Sequence, residues 1–268
     1  MEKIKKNIKD IVKDKYGKIA EQSKQQNASS CCGSGTCCGE DYTVFNDNYD
    51  SIEGYNPEAD LGLGCGLPTE FADIKRGNTV LDLGSGAGND CFIARAAVGK
   101  EGKVIGLDFT EKMLEKAKVN VSKLGYQNVE FIKGDIEDMP IKSDTIDVVI
   151  SNCVLNLVPD KKKAFSEIYR VLKPKAHFCV SDVVILGDLP ENIRKDAEMY
   201  AGCISGAVKK DEYLDIIVNT GFKNVKVRKE KEIILPANLL MQYLTDKDME
   251  DFKLKKLGIY SVTVFAEK

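Results

Sequence analysis

The chain lacks any long apolar run and any excess of one charge. Its lysine-rich first ten residues contain no uninterrupted apolar stretch of the kind a signal peptide needs, and no later segment approaches the ~20 apolar residues of a membrane span. The 39 basic and 42 acidic side chains nearly balance, and the basic ones are spread over predicted helices rather than gathered into one stripe. We therefore expect a cytoplasmic protein that binds neither membranes nor nucleic acid.

Histidine is almost absent, whereas cysteine is abundant. The one histidine, His177, falls on a predicted core strand, which favours a structural role over general-base catalysis. Nine cysteines are an odd number, and in a reducing compartment such thiols indicate metal binding, redox chemistry or catalysis more often than a disulfide framework. A chain of 268 residues with 43% hydrophobic content can bury one main core.

The pattern along the chain divides it into three parts. Residues 1–74 comprise a predicted amphipathic helix over 3–22, a Cys-rich loop and a lead-in segment. Residues 75–185 form the predicted nucleotide-binding core, and residues 186–268 add helices near 190–201 and 210–220, a helical insertion over 235–258 and closing strands. Short β-branched runs predict strands over 79–83, 103–107, 129–133, 146–151, 177–184, 224–234 and 260–266. Their alternation with helical segments predicts an α/β fold with a doubly wound, parallel sheet.

A glycine-rich turn follows the first of these strands. Residues 80–88 read Val-Leu-Asp-Leu-Gly-Ser-Gly-Ala-Gly and lead into a predicted helix over 89–98. Glycines allow the backbone to approach a ligand closely, although a tight strand-to-helix turn would select them too. The dinucleotide pattern needs glycine where this chain has Asn89, and Asp82 would repel a pyrophosphate. A cationic ligand fits this carboxylate better.

Two further acidic positions follow later strands. Asp108 ends the second strand, close to the position ~20 residues after the glycines at which an acid accepts hydrogen bonds from ribose hydroxyls. The alternative is a simple cap for the helix that begins near Thr110. After the third strand, Asp135 could bind an exocyclic amine and Ile136 could pack on a purine. A polar surface turn explains that pair equally well when the motif is taken alone.

Together these motifs resemble the class I S-adenosylmethionine-dependent methyltransferases over residues 75–185. The resemblance implies a Rossmann-like, mostly parallel seven-stranded sheet, here with an N-terminal helical and Cys-rich extension and a C-terminal insertion. It also implies S-adenosyl-L-methionine as the cofactor. The residues that would bind it are Asp82, Gly84, Ser85, Gly86, Gly88, Asp108, Met113, Asp135, Ile136, Ser151 and Asn152.

Three separated cysteines indicate the methyl acceptor. Cys65, Cys153 and Cys203 lie in Gly-Cys-Gly, Ser-Asn-Cys-Val and Ala-Gly-Cys-Ile-Ser, where small neighbours leave room for a ligand larger than sulfur. Across nearly its full length the chain resembles arsenite methyltransferases, through these motifs and through Asp-Leu-Gly-Ser-Gly-Ala-Gly-Asn-Asp. The resemblance implies that the three cysteines ligate trivalent arsenic. Soft thiolates are suited to such a thiophilic centre.

The N-terminal cysteines would serve the redox side of such a reaction. Methylation formally oxidises arsenic, and the family's thiol–disulfide relay would involve Cys37 or Cys38, while Cys31 and Cys32 offer a second pair. The partners expected are arsenite as a thiol complex, methylated arsenicals, and a reductant such as thioredoxin or a small thiol. No tightly bound metal is expected, although these four cysteines could form a zinc site with unusual spacing.

Two other functions remain open from the sequence. One is a small-molecule methyltransferase acting on oxygen, nitrogen or carbon, since this fold serves many acceptors. The other is a non-enzymatic metalloid-binding or redox-sensing protein. The leading interpretation is an arsenic-detoxifying methyltransferase.

Overall fold

The described part of the chain forms one mixed seven-stranded sheet. The computed structural model describes residues 2–22, 48–188, 206–233, 245, 247–248, 250, 254 and 256–268. The strands are β1 Thr79–Leu83, β2 Lys103–Asp108, β3 Val129–Lys133, β4 Ile146–Asn152, β5 Leu172–Leu186, β6 Lys223–Glu232 and β7 Gly258–Glu267. Their spatial order is β3-β2-β1-β4-β5-β7-β6. Strand β7 runs antiparallel to β5 and β6, and the other pairs are parallel. The predicted fold class is confirmed.

Helices cover both faces of this sheet. Their bounds are α1 Glu2–Ala20, α2 Pro68–Phe71, α3 Asn89–Val98, α4 Glu111–Leu124, α5 Lys161–Val171 and α6 Lys210–Thr220. Val80 packs in one apolar core with side chains of α3 and α4, and its neighbour Leu81 packs in the other core with side chains of α5 and α6. Successive residues of a strand point to opposite faces, so the central strands are apolar on both sides.

Some element boundaries differ from the predicted ones. Strand β5 begins at Leu172, five residues before the predicted start, because Pro174 cannot continue helix α5 and Leu172 pairs with Ile146 of β4. The helix predicted near 190–201 lies outside the described residues, and so does most of the 235–258 insertion. Among the helices that are described, none has both the length and the apolar content to cross a membrane.

The strand order places a crevice beside β1. Strand β2 lies on one side of β1 and β4 on the other, so the chain reverses its direction of winding at this point. The loops after these strands therefore diverge, and ligands of open α/β sheets bind in the crevice between them.

Candidate active site

A cleft opens at the carboxyl ends of β1, β2 and β4. It contains about 910 Å³ of empty space, counting the part that is open to solvent. Helix α1 contributes Val12 and Tyr16 to its wall, so the N-terminal segment covers the crevice. The predicted site residues that line it are Asp82, Gly84, Ser85, Gly86, Asp108, Met113, Ile136, Asn152 and Cys153.

The glycine loop after β1 requires its first glycine. Gly84 has a φ of 67°, in the left-handed region, and a Cβ at this position would lie 2.5 Å from both γ carbons of Val154. The N–H of Gly86 donates a hydrogen bond of 3.0 Å to Asp108 at the end of β2. The loop is thus fixed by close packing on one side and by a carboxylate on the other.

Asp108 holds two segments of the cleft together. Its other carboxylate oxygen accepts a 2.8 Å hydrogen bond from the N–H of Thr110, the residue before helix α4. Burial raises the pKa of Asp108, while the N–H groups of Thr110 and Gly86 oppose that rise. Asp108 therefore braces the turn before α4 without capping the helix itself, and its side chain also lines the cleft where a ribose hydroxyl was expected.

The wall beneath the loop is acidic. Asp82 is only 2% exposed, and burial together with the charge of Asp90 raises its pKa well above the usual range. Burial likewise raises the pKa of Asp90 to about 6, although the amide of Asn152 and the hydroxyl of Tyr49 oppose the rise. One oxygen of Asp90 has no hydrogen-bond partner within the described residues. Buried carboxylates of this kind are stabilised by a cation, as the sequence predicted for Asp82.

Three predicted cofactor residues do not line the cleft. Asp135 pairs with the Nζ of Lys9 on α1 at 2.5 Å, and Lys9 also contacts Glu137. The hydroxyl of Ser151 donates to the carbonyl oxygen of Leu83 at 3.2 Å. Gly88 supplies the left-handed turn before α3. Helix α1 therefore reaches the loop after β3, where the purine was expected.

Two of the predicted arsenic ligands lie on neighbouring segments at the cleft, where Cys153 lines the wall and Cys65 follows the lining residue Gly64. Cys65 and Cys153 are buried thiols, 1% and 4% exposed. Cys153 has a φ of 60°, unusual for a residue with a side chain, and its N–H donates to the Ser181 carbonyl at 2.8 Å. The Cys65 N–H donates to the Oδ1 of Asn152 at 3.0 Å. The two cysteines, 88 residues apart in sequence, are thus held by adjoining groups.

A tyrosine lies behind these thiols. The pKa of Tyr213 is raised well above its usual range by burial, then by Asp182, and further by the thiols of Cys65 and Cys153. Its hydroxyl donates a 2.8 Å hydrogen bond to Asp182. Both cysteines therefore lie close to one buried tyrosine and one buried acid.

The remaining predicted cysteines lie outside the described residues. These are Cys31, Cys32, Cys37, Cys38 and Cys203. Over the described ranges, no group of three or more His, Cys, Asp or Glu side chains is arranged to hold a metal ion. His177 lies on β5 with its Nε2 2.6 Å from the carbonyl oxygen of Ala72, away from the cleft. It has the structural position that the sequence predicted.

Sequence reasoning missed six polar residues of the cleft, two of which, Asn89 and Thr110, lie at the starts of α3 and α4. Asp90 follows the glycine loop directly, and its place in the first turn of α3 was an available signal. Tyr16, Tyr49 and Asp60 reach the cleft from segments that carry no motif. Only the packed structure brings them to the site.

The comparisons with known proteins agree with this geometry. A family described as a methyltransferase domain matches residues 74–221. The chain is 36% identical to an arsenite methyltransferase of Halobacterium salinarum over 97% of its own length, and 31% identical to one of Aquipseudomonas alcaligenes over 88%. It spans 66% and 68% of these two relatives.

A solved structure supports the same family. It is the arsenic(III) S-adenosylmethionine methyltransferase of Chlamydomonas reinhardtii, 35% identical, with a TM-score of 0.65. The alignment covers 76% of this chain and 67% of that one. In fold and in sequence, the chain belongs to the class I methyltransferases and, within them, to the arsenite methyltransferase family.

Proposed function

We propose that this protein transfers a methyl group from S-adenosylmethionine to trivalent arsenic held by the thiolates of Cys65, Cys153 and Cys203. The observation that carries the proposal is that the Cys65 segment is hydrogen-bonded to Asn152, the residue before Cys153, beside a cleft that Cys153, the glycine loop and Asp108 line together. The family relation supports the same acceptor.

The residues present fit the proposed cofactor. S-adenosylmethionine, when bound, supplies an electrophilic methyl group on a positively charged sulfur. Asp82 and Asp90 would face its cationic part, because both are buried and one oxygen of Asp90 has no partner among the described residues. Asp108 would accept from the ribose, and Ile136 would pack on the adenine. Gly84, Ser85, Gly86, Met113 and Asn152 line the cleft and complete the proposed set, to which Gly88, Asp135 and Ser151 belong only because the methyltransferase resemblance implies them.

The protein's part in the reaction is alignment. Arsenic bound by three thiolates keeps one lone pair, and the cysteines would point that pair at the methyl carbon. Alignment of this kind is worth ~7 to 11 kcal/mol, and no proton has to be removed from arsenic. Burial of both described thiols also keeps water from the reacting atoms.

A thiol relay would complete the cycle. Transfer of a methyl cation to the lone pair takes arsenic formally from the trivalent to the pentavalent state, so two electrons must return. Two thiols that become a disulfide supply two electrons and release two protons, and Cys37 or Cys38 is the proposed N-terminal participant. A thiol reductant, such as thioredoxin or a small thiol in the cytoplasm, would then reduce that disulfide. The outcome would be arsenic detoxification.

The reaction assay tests this proposal directly. Purified protein is incubated with methyl-labelled S-adenosylmethionine, arsenite and a thiol reductant, and the arsenic species are separated by chromatography. We expect labelled methylarsenic only when all components are present. Arsenite binding without methylated product would instead indicate a metalloid sensor, and transfer of label to another acceptor would indicate a different small-molecule methyltransferase.

A further inference from the structure

The side-chain amide of Asn152 joins four separate parts of the chain. Its Oδ1 accepts the N–H of Cys65 at 3.0 Å. Its Nδ2 lies 2.7 Å from the hydroxyl of Tyr49, 2.9 Å from the carbonyl of Gly66 and 3.0 Å from a carboxylate oxygen of Asp90. An amide has two N–H donors, so these three acceptors share them. Asn152 lines the cleft, but its polar atoms are already engaged with the protein.

The Cys65 segment depends on such contacts because it has no regular structure of its own. Residues 61–67 belong to no helix or strand. The hydroxyl of Tyr49 donates to the Gly66 carbonyl at 3.0 Å, and the hydroxyl of Ser261 donates to the Cys65 carbonyl. A Cβ at Gly64 would lie 2.8 Å from the Nδ2 of Asn152. The segment therefore packs directly against the amide.

The amide also ties the backbone of Cys65 to the central sheet. Asn152 ends β4 and immediately precedes Cys153, so its backbone position is set by the central sheet. One hydrogen bond therefore connects the loop that carries Cys65 to the last residue of the strand that Cys153 follows. Reactive constellations need positions held within ≈ 0.5 Å, which an unanchored loop does not provide.

We propose that Asn152 is a positioning residue that holds Cys65 at the distance from Cys153 that trivalent arsenic requires. This inference rests on the proposed arsenic-binding function of the two cysteines. Asn152 then acts on the acceptor end of the cleft, in addition to the cofactor role that its place in the methyltransferase motif implied.

The test compares Asn152→Ala with Asn128→Ala. Asn128 is equally half-buried, and its amide has three partners against the four of Asn152, namely Arg95, Gly99 and Gly102 at 2.8–3.3 Å, but it does not line the cleft. Arsenite affinity is measured by equilibrium dialysis with elemental analysis, and S-adenosylhomocysteine affinity by calorimetry. We expect Asn152→Ala to weaken arsenite binding about tenfold and S-adenosylhomocysteine binding by clearly less, although Asn152 also belongs to the proposed cofactor set. Asn128→Ala should change neither affinity.

A milder substitution tests the same role if Asn152→Ala does not fold. Tyr49→Phe keeps the ring and removes the hydroxyl that links Asn152 to Gly66, and it should weaken arsenite binding about threefold. Equal loss of both ligands in the Asn152 variant, or unchanged arsenite affinity in the Asn152 and Tyr49 variants, would overturn the positioning role. Failure of the unsubstituted protein to bind arsenite would instead refute the proposed function, and this inference with it.

Discussion

The two groups of residues that form the site are built in different ways. The cofactor half, defined by the glycine loop with Asp82, Asp90 and Asp108, comes from strands β1 and β2 and the turns that follow them. The thiol half, defined by Cys65 and Cys153, joins a loop before the sheet to the end of β4. The first is local in sequence, whereas the second exists only once distant segments have packed together.

This difference separates two kinds of constraint. In the cofactor half, backbone conformation and buried charge set the geometry, as the φ of Gly84 and the burial of Asp82 show. In the thiol half, the sulfur positions depend on hydrogen bonds from neighbouring segments to backbone groups of the cysteines. Substitutions in the cofactor half should therefore weaken cofactor binding, whereas substitutions in the thiol half should weaken arsenite binding and methylation.

The largest expected effect is on the thiol half. Cys153→Ala should lower arsenite methylation at least about 1,000-fold, because alignment of the reacting atoms is lost, while S-adenosylhomocysteine binding persists. Cys179→Ala is the matched control, since Cys179 is also fully buried but packs in the core on β5. Turnover and calorimetry are measured on both variants. Normal turnover by the Cys153 variant would remove this cysteine from the arsenic site.

The next effect is on the cofactor half. Gly84→Ala combines a left-handed φ with the contact against Val154, and we expect a loss of about 3 kcal/mol in the free energy of unfolding together with weakened S-adenosylhomocysteine binding. Gly125→Ala has the same φ of 67° and nothing within 4 Å of its Cβ, so it should lose only about 1 kcal/mol. Urea denaturation measures both. Equal losses would mean that backbone strain alone, and not the close packing of the loop, explains Gly84.

The fold and the cofactor half, apart from Asp90, could be predicted because their signals are local. Seven β-branched runs, a glycine turn and an acid after the second strand each occupy a short window, and the parallel sheet brings those windows to one edge. Asp82, Gly84 and Asp108 accordingly lie where the pattern predicted them. The start of strand β5 was predicted five residues too late, because its first residue, Leu172, pairs with Ile146 across the sheet.

The supports of the thiol half could not be predicted in this way. Cysteine spacing identified Cys65 and Cys153, but nothing near them in sequence indicates Tyr49, Ser181 or Ser261 as the groups that hold them. Asp135 illustrates the same limit in the other half, since its partner Lys9 lies 126 residues away. Contacts across such separations arise from tertiary packing and leave no periodic pattern.

A smaller effect is expected in the pH dependence of the free energy of unfolding, and it should distinguish Asp182 from Asp82 and Asp90 in the cofactor half. Burial raises the pKa of Asp182, behind the thiols, to about 7, above its ordinary value of ~3.9 in an unfolded chain. Its stabilising contribution is full below pH ~4 and is lost as pH rises through 7, so the free energy of unfolding should fall by on the order of 2 kcal/mol between pH 5 and 8.

The Asn variant isolates this contribution. Asp182→Asn keeps an acceptor for the Tyr213 hydroxyl and should flatten much of the pH dependence, whereas the exposed control Asp144→Asn should leave it unchanged. Urea denaturation at several pH values provides the measurement. Asp82 and Asp90, whose pKa values are also raised, should leave a shallower slope in Asp182→Asn, and a slope as steep as that of the unsubstituted protein would assign the whole pH dependence to the cofactor half.

The smallest expected effect tests whether the halves act independently. Asp108→Asn turns one hydrogen-bond acceptor into an amide donor facing the N–H of Gly86 or Thr110, and it weakens the proposed ribose contact. We expect S-adenosylhomocysteine affinity to fall about tenfold while arsenite affinity stays the same, as calorimetry and dialysis would show. Unchanged S-adenosylhomocysteine binding would refute the ribose role. Parallel loss of both ligands would show that displacing the glycine loop also disturbs the thiols, because α3, which begins directly after that loop, carries Asp90, and Asp90 contacts the same Asn152 amide that holds Cys65.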